Sequence, residues 1–309
     1  MKNPVEAEAF CAPHRTNNYK KFNTCLTRDE LATAAQDWNT MNPSRPIKDI
    51  DKLSIAKLKR ALADRHKTST GCIDELCWVK ESPSLSNKSR DIFRPLRSNK
   101  WRTGRTWLNT LDIQHVMKQY ELVHKDFMFL GVFPIDFERE VQGACVSMCN
   151  FKITDLIAAK KRRFSMVINL DTHDQPGSHW VTLFCNIDPK DPKYGACYFD
   201  SGGVRPEPIL GTKDNPIEQF LKRIKDEVVE LYGDSHKTHF WVRYSPERKQ
   251  YKNTECGMFC LLFNILCLEK PMTYKEIRRL IGNDDDVHEL RKILFANADI
   301  AKRKAYTKP

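Results

Sequence analysis

No apolar run in this 309-residue chain is long enough to cross a bilayer, so no spanning helix and no membrane partner are expected. The first residues, Met1 to Arg15, carry acids and a proline but lack the apolar stretch of a secretory signal, so the protein is expected to remain where it is made. Zinc-type spacing is missing as well. Cys72 with Cys77, and Cys145 with Cys149, are each a pair without a matching second pair, which argues against a metal. The eleven cysteines are scattered and have no secretion signal beside them, a usage that fits free thiols in a reducing compartment. What remains is an ordinary globular composition, 40% hydrophobic and 29% charged, with length enough for one large domain or a domain with a sizeable extension.

The formal net charge of +11 is unevenly placed. Residues 1–106 hold 21 lysines and arginines against 12 aspartates and glutamates, so most of the excess is N-terminal. A basic region of this kind can lie on nucleic acid through counterion release without reading its sequence; solubility is the plainer explanation.

The N-terminal third reads as polar and helical. Thr27 and Glu30 have capping-box spacing ahead of a helix through Trp38, and Leu53, Ile55, Leu58 and Leu62 form an approximate helical stripe. From Glu81 to Arg105 prolines, serines and seven basic residues give the composition of a charged linker. A domain boundary belongs there, dividing a mainly helical basic arm (1–105) from a second domain (106–309). In the latter a helix is expected over 109–124 and a strand over 127–137. Three short runs, 164–170, 179–187 and 195–199, read as consecutive antiparallel strands. Helix 217–232 is strongly periodic, and 240–244 is a further strand. The almost wholly apolar 256–268 is a core helix, and helices near 274–281 and 287–295 close the chain. Helices on a mixed sheet make this an α+β domain.

One ordered set of residues carries chemistry. Ser178-His179-Trp180 opens a strand, Phe199-Asp200-Ser201 ends the next, and Gln250 is followed after five residues by Cys256-Gly257. A thiol attacks a carbonyl as the thiolate, and Cys256 at the first turn of a buried helix has backbone dipoles directed at its sulfur, with an imidazole available to stabilise the anion. His179 is the candidate base, Asp200 the group that fixes its tautomer, and Gln250 an amide donor to a tetrahedral oxyanion. Gly257 would let a substrate approach the backbone closely. Singly, each has a plainer explanation: a structural histidine, a small core cysteine, a turn aspartate. Their joint order is much harder to obtain by chance.

That order resembles the cysteine peptidase superfamily containing the SUMO deconjugases and the adenovirus maturation protease, and the match runs from about Trp107 to the C-terminus. Trp107-Leu108-Asn109 ahead of a helix is similar to the Trp-Leu-Asn-Asp segment of the deconjugases. The resemblance implies that Trp107 and Trp180 form a narrow tunnel over a Gly-Gly end, with Asn109 and Gly257 beside the substrate. The following Asp, which faces the modifier in deconjugases, is Thr110 in this chain. Pro134 to Phe137, Thr254 to Gly257, the Gly71-Cys72…Cys77 segment of the N-terminal extension and a late Asp-rich start to a helix ending in Leu294-Phe295 are most similar to the polyprotein-processing proteases of large nucleocytoplasmic DNA viruses, such as the African swine fever virus type. This resemblance implies a papain-like catalytic domain with a central mixed sheet, and cleavage after Gly-Gly in viral structural polyproteins during virion maturation. It implies work at host cytoplasmic assembly sites and in the virion, without a metal or required cofactor. DNA activation enters by analogy with the adenovirus relative. Processing of a SUMO-type modifier is the alternative. Acyl transfer finds no clear coenzyme-binding feature in addition to the triad, and a purely structural virion protein would not need an intact four-part site.

Overall fold

The capping box at the head of the chain forms as its spacing predicts: Thr27 accepts from the Glu30 amide, and the Glu30 carboxylate accepts from the Thr27 amide at 2.8 Å, starting helix Arg28–Met41. The computed structural model describes residues 10–97, 106–141, 144, 145 and 147–296. They belong to two compact units, one within Met1–Gly104 and Arg291–Pro309, the other Arg105–Leu290.

In the first unit Ser54 caps helix Ile55–Ser69, whose Leu58 and Leu62 are buried against Leu31, Ala35 and Trp38 of Arg28–Met41. Two corrections arise here. The expected linker does not begin at Glu81. Leu85, Ile92 and Phe93 are buried in this core, and Phe93 bridges to Cys11, so a segment that looks like a charged connector contributes its few apolar side chains to packing. The remainder of that stretch, 98–105, lies outside the described residues. Nor are the N-terminal cysteines free thiols. Disulfides join Cys11 to Cys25 and Cys72 to Cys77, with Cα separations of 5.3 and 5.8 Å, inside the range a disulfide spans. Scatter along a sequence says nothing about such distances.

The chain from Arg291 groups with this unit rather than with the residues before it: Leu96 and Ala296 form a parallel bridge, the Arg97 amide donates to the Ala296 carbonyl and the Ala296 amide to the Pro95 carbonyl, both at 2.8 Å. The helix expected over 287–295 is accordingly two pieces, Asp284–Glu289 and Arg291–Leu294, parted where the chain leaves one unit for the other.

The second unit is built on a five-stranded mixed sheet in the order β1 (Phe127–Pro134), β4 (Arg163–Asn169), β5 (Trp180–Asn186), β6 (Gly195–Phe199), β7 (Trp241–Tyr244); β2 (Glu140–Val141) and β3 (Ala144–Cys145) form a separate antiparallel pair. β4, β5 and β6 are consecutive antiparallel strands, while β1 and β7 flank them in parallel. Alternation along the strands feeds two layers. Val181, Leu183 and Cys185 of β5 join Phe164, Met166 and Ile168 of β4 in a core with Ile217, Phe220, Ile224 and Val228 of helix Pro216–Tyr232. The opposite face carries Thr182, Phe184 and Phe199, covered by helix Cys256–Glu269: Phe199 stacks on Phe263 at 4.5 Å. Every residue of β5 is buried, as a strand covered on both faces should be.

A polar connection lies inside this second layer. Asn264, wholly buried in the otherwise apolar helix, donates through Nδ2 to Thr182 Oγ1 and to the Cys260 carbonyl, both at 2.8 Å, and the Thr182 hydroxyl donates to the Met166 carbonyl at 2.8 Å. Apolar packing fixes the distance between helix and sheet but tolerates sliding; a directional bond fixes the register. Replacing Asn264 with Ala is expected to destabilise the protein by about 2 kcal/mol in urea unfolding, and a cycle with Thr182→Val should show coupling of roughly 1 kcal/mol. Additive effects would show that the bond contributes nothing.

Candidate active site

His179 immediately precedes β5 and Asp200 immediately follows β6. Since β5 and β6 are antiparallel with Thr182 opposite Phe199, the two strand ends bring these side chains together, and His179 Nε2 meets Asp200 Oδ1 at 2.6 Å. Asp200 is 2% exposed, and its other bonds hold it in place. The Gly202 amide donates to Oδ1 at 2.7 Å, the Val204 amide to Oδ2 at 3.1 Å, and Ser245 both accepts from the Asp200 amide and donates to its carbonyl. With Nε2 turned to Asp200, Nδ1 is the nitrogen left for Cys256, whose thiol is near enough to help raise the imidazole's pKa.

Cys256 is 1% exposed and is the first residue of helix Cys256–Glu269, so it sits where amides without intrahelical partners point. Burial alone would lower the basicity of His179, but the hydrogen bonds to Asp200 and Cys256, together with the charges those groups carry, raise its pKa from 6.5 to about 9. The four remaining free cysteines among the described residues, Cys185, Cys197, Cys260 and Cys267, are buried as well, and burial pushes each thiol up, Cys197 to about 12. Of these five, Cys256 is the one set beside an imidazole whose pKa it helps to raise.

Gln250 is buried in the loop before Cys256, and both ends of its amide are used. Ser201 Oγ donates to Oε1 at 2.6 Å, and Nε2 donates one proton to the Lys252 carbonyl at 2.5 Å, leaving its second proton free to donate elsewhere. The loop is itself clamped. The Tyr251 and Lys252 amides donate to the two oxygens of buried Asp284 at 2.8 and 3.1 Å, and the Lys249 and Gln250 amides converge on the Ser201 carbonyl. Gly203, with φ +75°, makes the turn after Asp200 possible, since a Cβ there would come within 2.7 Å of the Arg248 amide nitrogen.

Trp107 and Trp180 line one cleft of about 460 Å³ with Leu108, Asn109, Phe133 and Pro134. The Trp180 indole donates to the Leu108 carbonyl at 3.0 Å and is almost buried. Trp107 is 43% exposed, its indole donating to the Asn253 carbonyl. Asn109 borders the cleft while its side chain caps helix Thr110–Val123, accepting from the Asp112 amide at 2.9 Å. Gly257 is packed rather than open: a Cβ would meet Leu108 Cβ at 3.1 Å and Trp180 Cδ1 at 3.3 Å, so its missing side chain makes room for the cleft wall.

Sequence reasoning passed over Ser201, Ser245, Asn264 and Asp284. A lone asparagine in an apolar helix was the one visible signal; the others are common turn residues whose partners are remote in the chain. Glu255, fully buried before Cys256, accepts from His288 Nδ1 at 2.9 Å and was passed over too.

The raised His179 value has consequences of defined sign. A folded-state pKa of about 9 against 6.5 means that the stability drawn from these contacts is fully present below about pH 6.5 and is lost as pH rises through about 9. The imidazole resonances of His179 should titrate near 9, and Asp200→Asn should move that midpoint down by about one unit or more, read by NMR. A midpoint near 6.5 in the unaltered protein would contradict the arrangement.

Residues 94–308 match the family model described as the Vaccinia virus I7 processing peptidase. A thiol protease of Acanthamoeba polyphaga mimivirus is 26% identical over 310 residues, covering 93% of this chain and 93% of the relative. A cysteine protease of African swine fever virus is 26% identical over 278 residues, covering 83% of this chain and 96% of the relative. A crystal structure of the African swine fever virus protease aligns with a TM-score of 0.59 at 17% identity, over 93% of this chain and 96% of that one, so the fold is shared. With the family model matching more than half of its length, the chain belongs to the Vaccinia virus I7 processing peptidase family and is a cysteine protease.

Proposed function

We propose that the chain is a thiol endopeptidase that cleaves after Gly-Gly in viral structural polyproteins during virion maturation. The observation that carries this reading is the double engagement of His179, on Asp200 through Nε2 and on Cys256 through its other face. Cys256 is the nucleophile. The imidazolium of His179 holds the proton away from the sulfur during attack and delivers it to the departing amine, Asp200 keeps the ring oriented, and the acyl-enzyme then hydrolyses. The free proton of the Gln250 amide and the Cys256 backbone amide are the oxyanion donors. No step calls for a metal.

Glycine selectivity is supported by the two indoles on the cleft. Trp107 and Trp180 leave a passage walled by flat rings, and Leu108 and Trp180 press against Gly257 beside the sulfur, so side chains next to the scissile bond are disfavoured sterically. In this reading the protease acts at host cytoplasmic assembly sites and in the virion. Its catalytic half begins near residue 106, and the basic N-terminal arm engages nucleic acid.

The deciding experiment compares Gly-Gly-Ala and Gly-Val-Ala peptides, with a SUMO-type precursor alongside, at neutral pH with a reductant. Cleavage of the Gly-Gly peptide alone, lost in Cys256→Ser, is expected. Cleavage of the modifier in preference to the peptide would move the assignment to a deconjugase, and equal cleavage of both peptides would remove the glycine tunnel. Two further outcomes are expected. The activity should fall as pH rises through about 9, following loss of the His179 proton. Ser201→Ala, which unpins the Gln250 amide, should lower kcat about tenfold with little change in KM. If DNA activates, activity in its presence should decline steeply with salt and in its absence hardly at all.

A further inference from the structure

Three ligand-bearing side chains converge in the first unit, far along the chain from the residues assigned to peptide cleavage. One ligand atom each of His66, Cys72 and Glu81 lies within 4.8 Å of the others, and no further such group of three occurs among the described residues. Cys77, disulfide-bonded to Cys72 with a Cα separation of 5.8 Å, is a fourth donor beside this group of three. Three segments supply them. Helix Ile55–Ser69 carries His66, the turn after Gly71 carries Cys72, and helix Glu75–Glu81 carries Cys77 and Glu81 one turn apart on the same face.

The setting is rigid and largely dry. His66 is 3% exposed, with the Trp38 ring against it at 4.8 Å and the Trp78 ring stacked at 6.0 Å. Its Nδ1 meets Glu81 Oε2 at 2.9 Å, and Thr70 Oγ1 donates to the same oxygen at 3.2 Å. The Trp78 indole donates to the Cys72 carbonyl at 3.4 Å, and Cys72 itself is fully buried. Cys77 is only half buried, so it is the sulfur an external thiol can reach. The second disulfide, Cys11–Cys25, has no such company.

We propose that Cys72, Cys77, His66 and Glu81 form a zinc site when the Cys72–Cys77 disulfide is reduced, so that the same two sulfurs close this part of the first unit either as a disulfide or around a metal ion. Two equivalents of a glutathione-class thiol supply the electrons: the S–S bond breaks, both cysteines take up a proton, and the external thiols leave as their own disulfide. Zinc then displaces both protons as two Zn–S bonds form, and an imidazole nitrogen and a carboxylate oxygen complete a tetrahedron. Tetrahedral zinc holds two thiolates roughly 3.8 Å apart, and the other ligand atoms are already within a small adjustment of their places. The site is closed, with four protein donors and two thiolates among them, which marks it as structural rather than catalytic and selects zinc over harder cations.

The test uses the full chain in a Cys256→Ala background, which removes the thiol beside His179 as a competing ligand. Protein reduced with a phosphine and protein left oxidised are each equilibrated with zinc, passed through a desalting column and assayed for bound metal. About one zinc ion per chain is expected in the reduced form and essentially none in the oxidised form. X-ray absorption of the reduced protein should show two sulfur and two lighter scatterers, and chelator competition should show about tenfold weaker binding for Glu81→Gln and a greater loss for Cys77→Ser. Absence of stoichiometric zinc from the reduced protein, equal zinc in both redox forms, or a coordination shell without two sulfurs would each overturn the proposal, whether or not the cysteine variant folds.

Discussion

The second unit depends on a bond between two uncharged groups in its interior. Asn264 on the helix and Thr182 on β5 are both buried, and their hydrogen bond is a directional contact in a layer held largely by stacked rings and aliphatic packing. Cys256 lies two turns before Asn264 on the same helix, and His179 lies three residues before Thr182 at the head of the same strand. A slip of the helix by a fraction of a turn would leave the apolar contacts largely intact but separate sulfur from imidazole. Two rigid elements, aligned once in the core, carry that alignment outward to their ends, where Cys256 and His179 stand.

At those ends the charges are arranged around a single imidazole. Asp200 would be costly to bury alone, but two backbone amides and His179 satisfy its oxygens. Raising His179 to about 9 keeps a positive charge beside the sulfur across the physiological range, the condition under which a cysteine is a useful nucleophile. The loop carrying Gln250 is fastened from two directions, by Ser201 and by Asp284, so the fold itself holds its amide in one orientation.

Much of this was legible in the sequence where local pattern and tertiary role coincide. Thr27 and Glu30 cap a helix because capping is local, and β4, β5 and β6 read as strands because their branched and aromatic residues suit a covered sheet. Cys256, His179 and Asp200 stood out through their order at element ends. Long-range partnerships were not legible. Nothing near Ser201 indicates Gln250, nothing near Asp284 indicates the amides of Tyr251 and Lys252, and no spacing rule brings Cys11 to Cys25. The segment after Glu81 misled because charge density dominated its composition while Leu85, Ile92 and Phe93, few and far apart, decided its fate.

Trp180 has two neighbours with different duties. Its indole lines the cleft, and the edge of the same ring fills the space beside Gly257, next to the sulfur. The cleft wall and the packing at the start of the helix that holds Cys256 are therefore one mechanical part. A lineage that trimmed this ring to admit bulkier substrates would also loosen the start of the helix that holds Cys256, and enlarging Gly257 to refill the gap would push on Leu108. Change in preference is easier at the exposed Trp107, whose ring borders the cleft and whose indole is held by the Asn253 carbonyl. Descendants of this fold that differ in what they cut should differ first on that open wall, and keep the closed one.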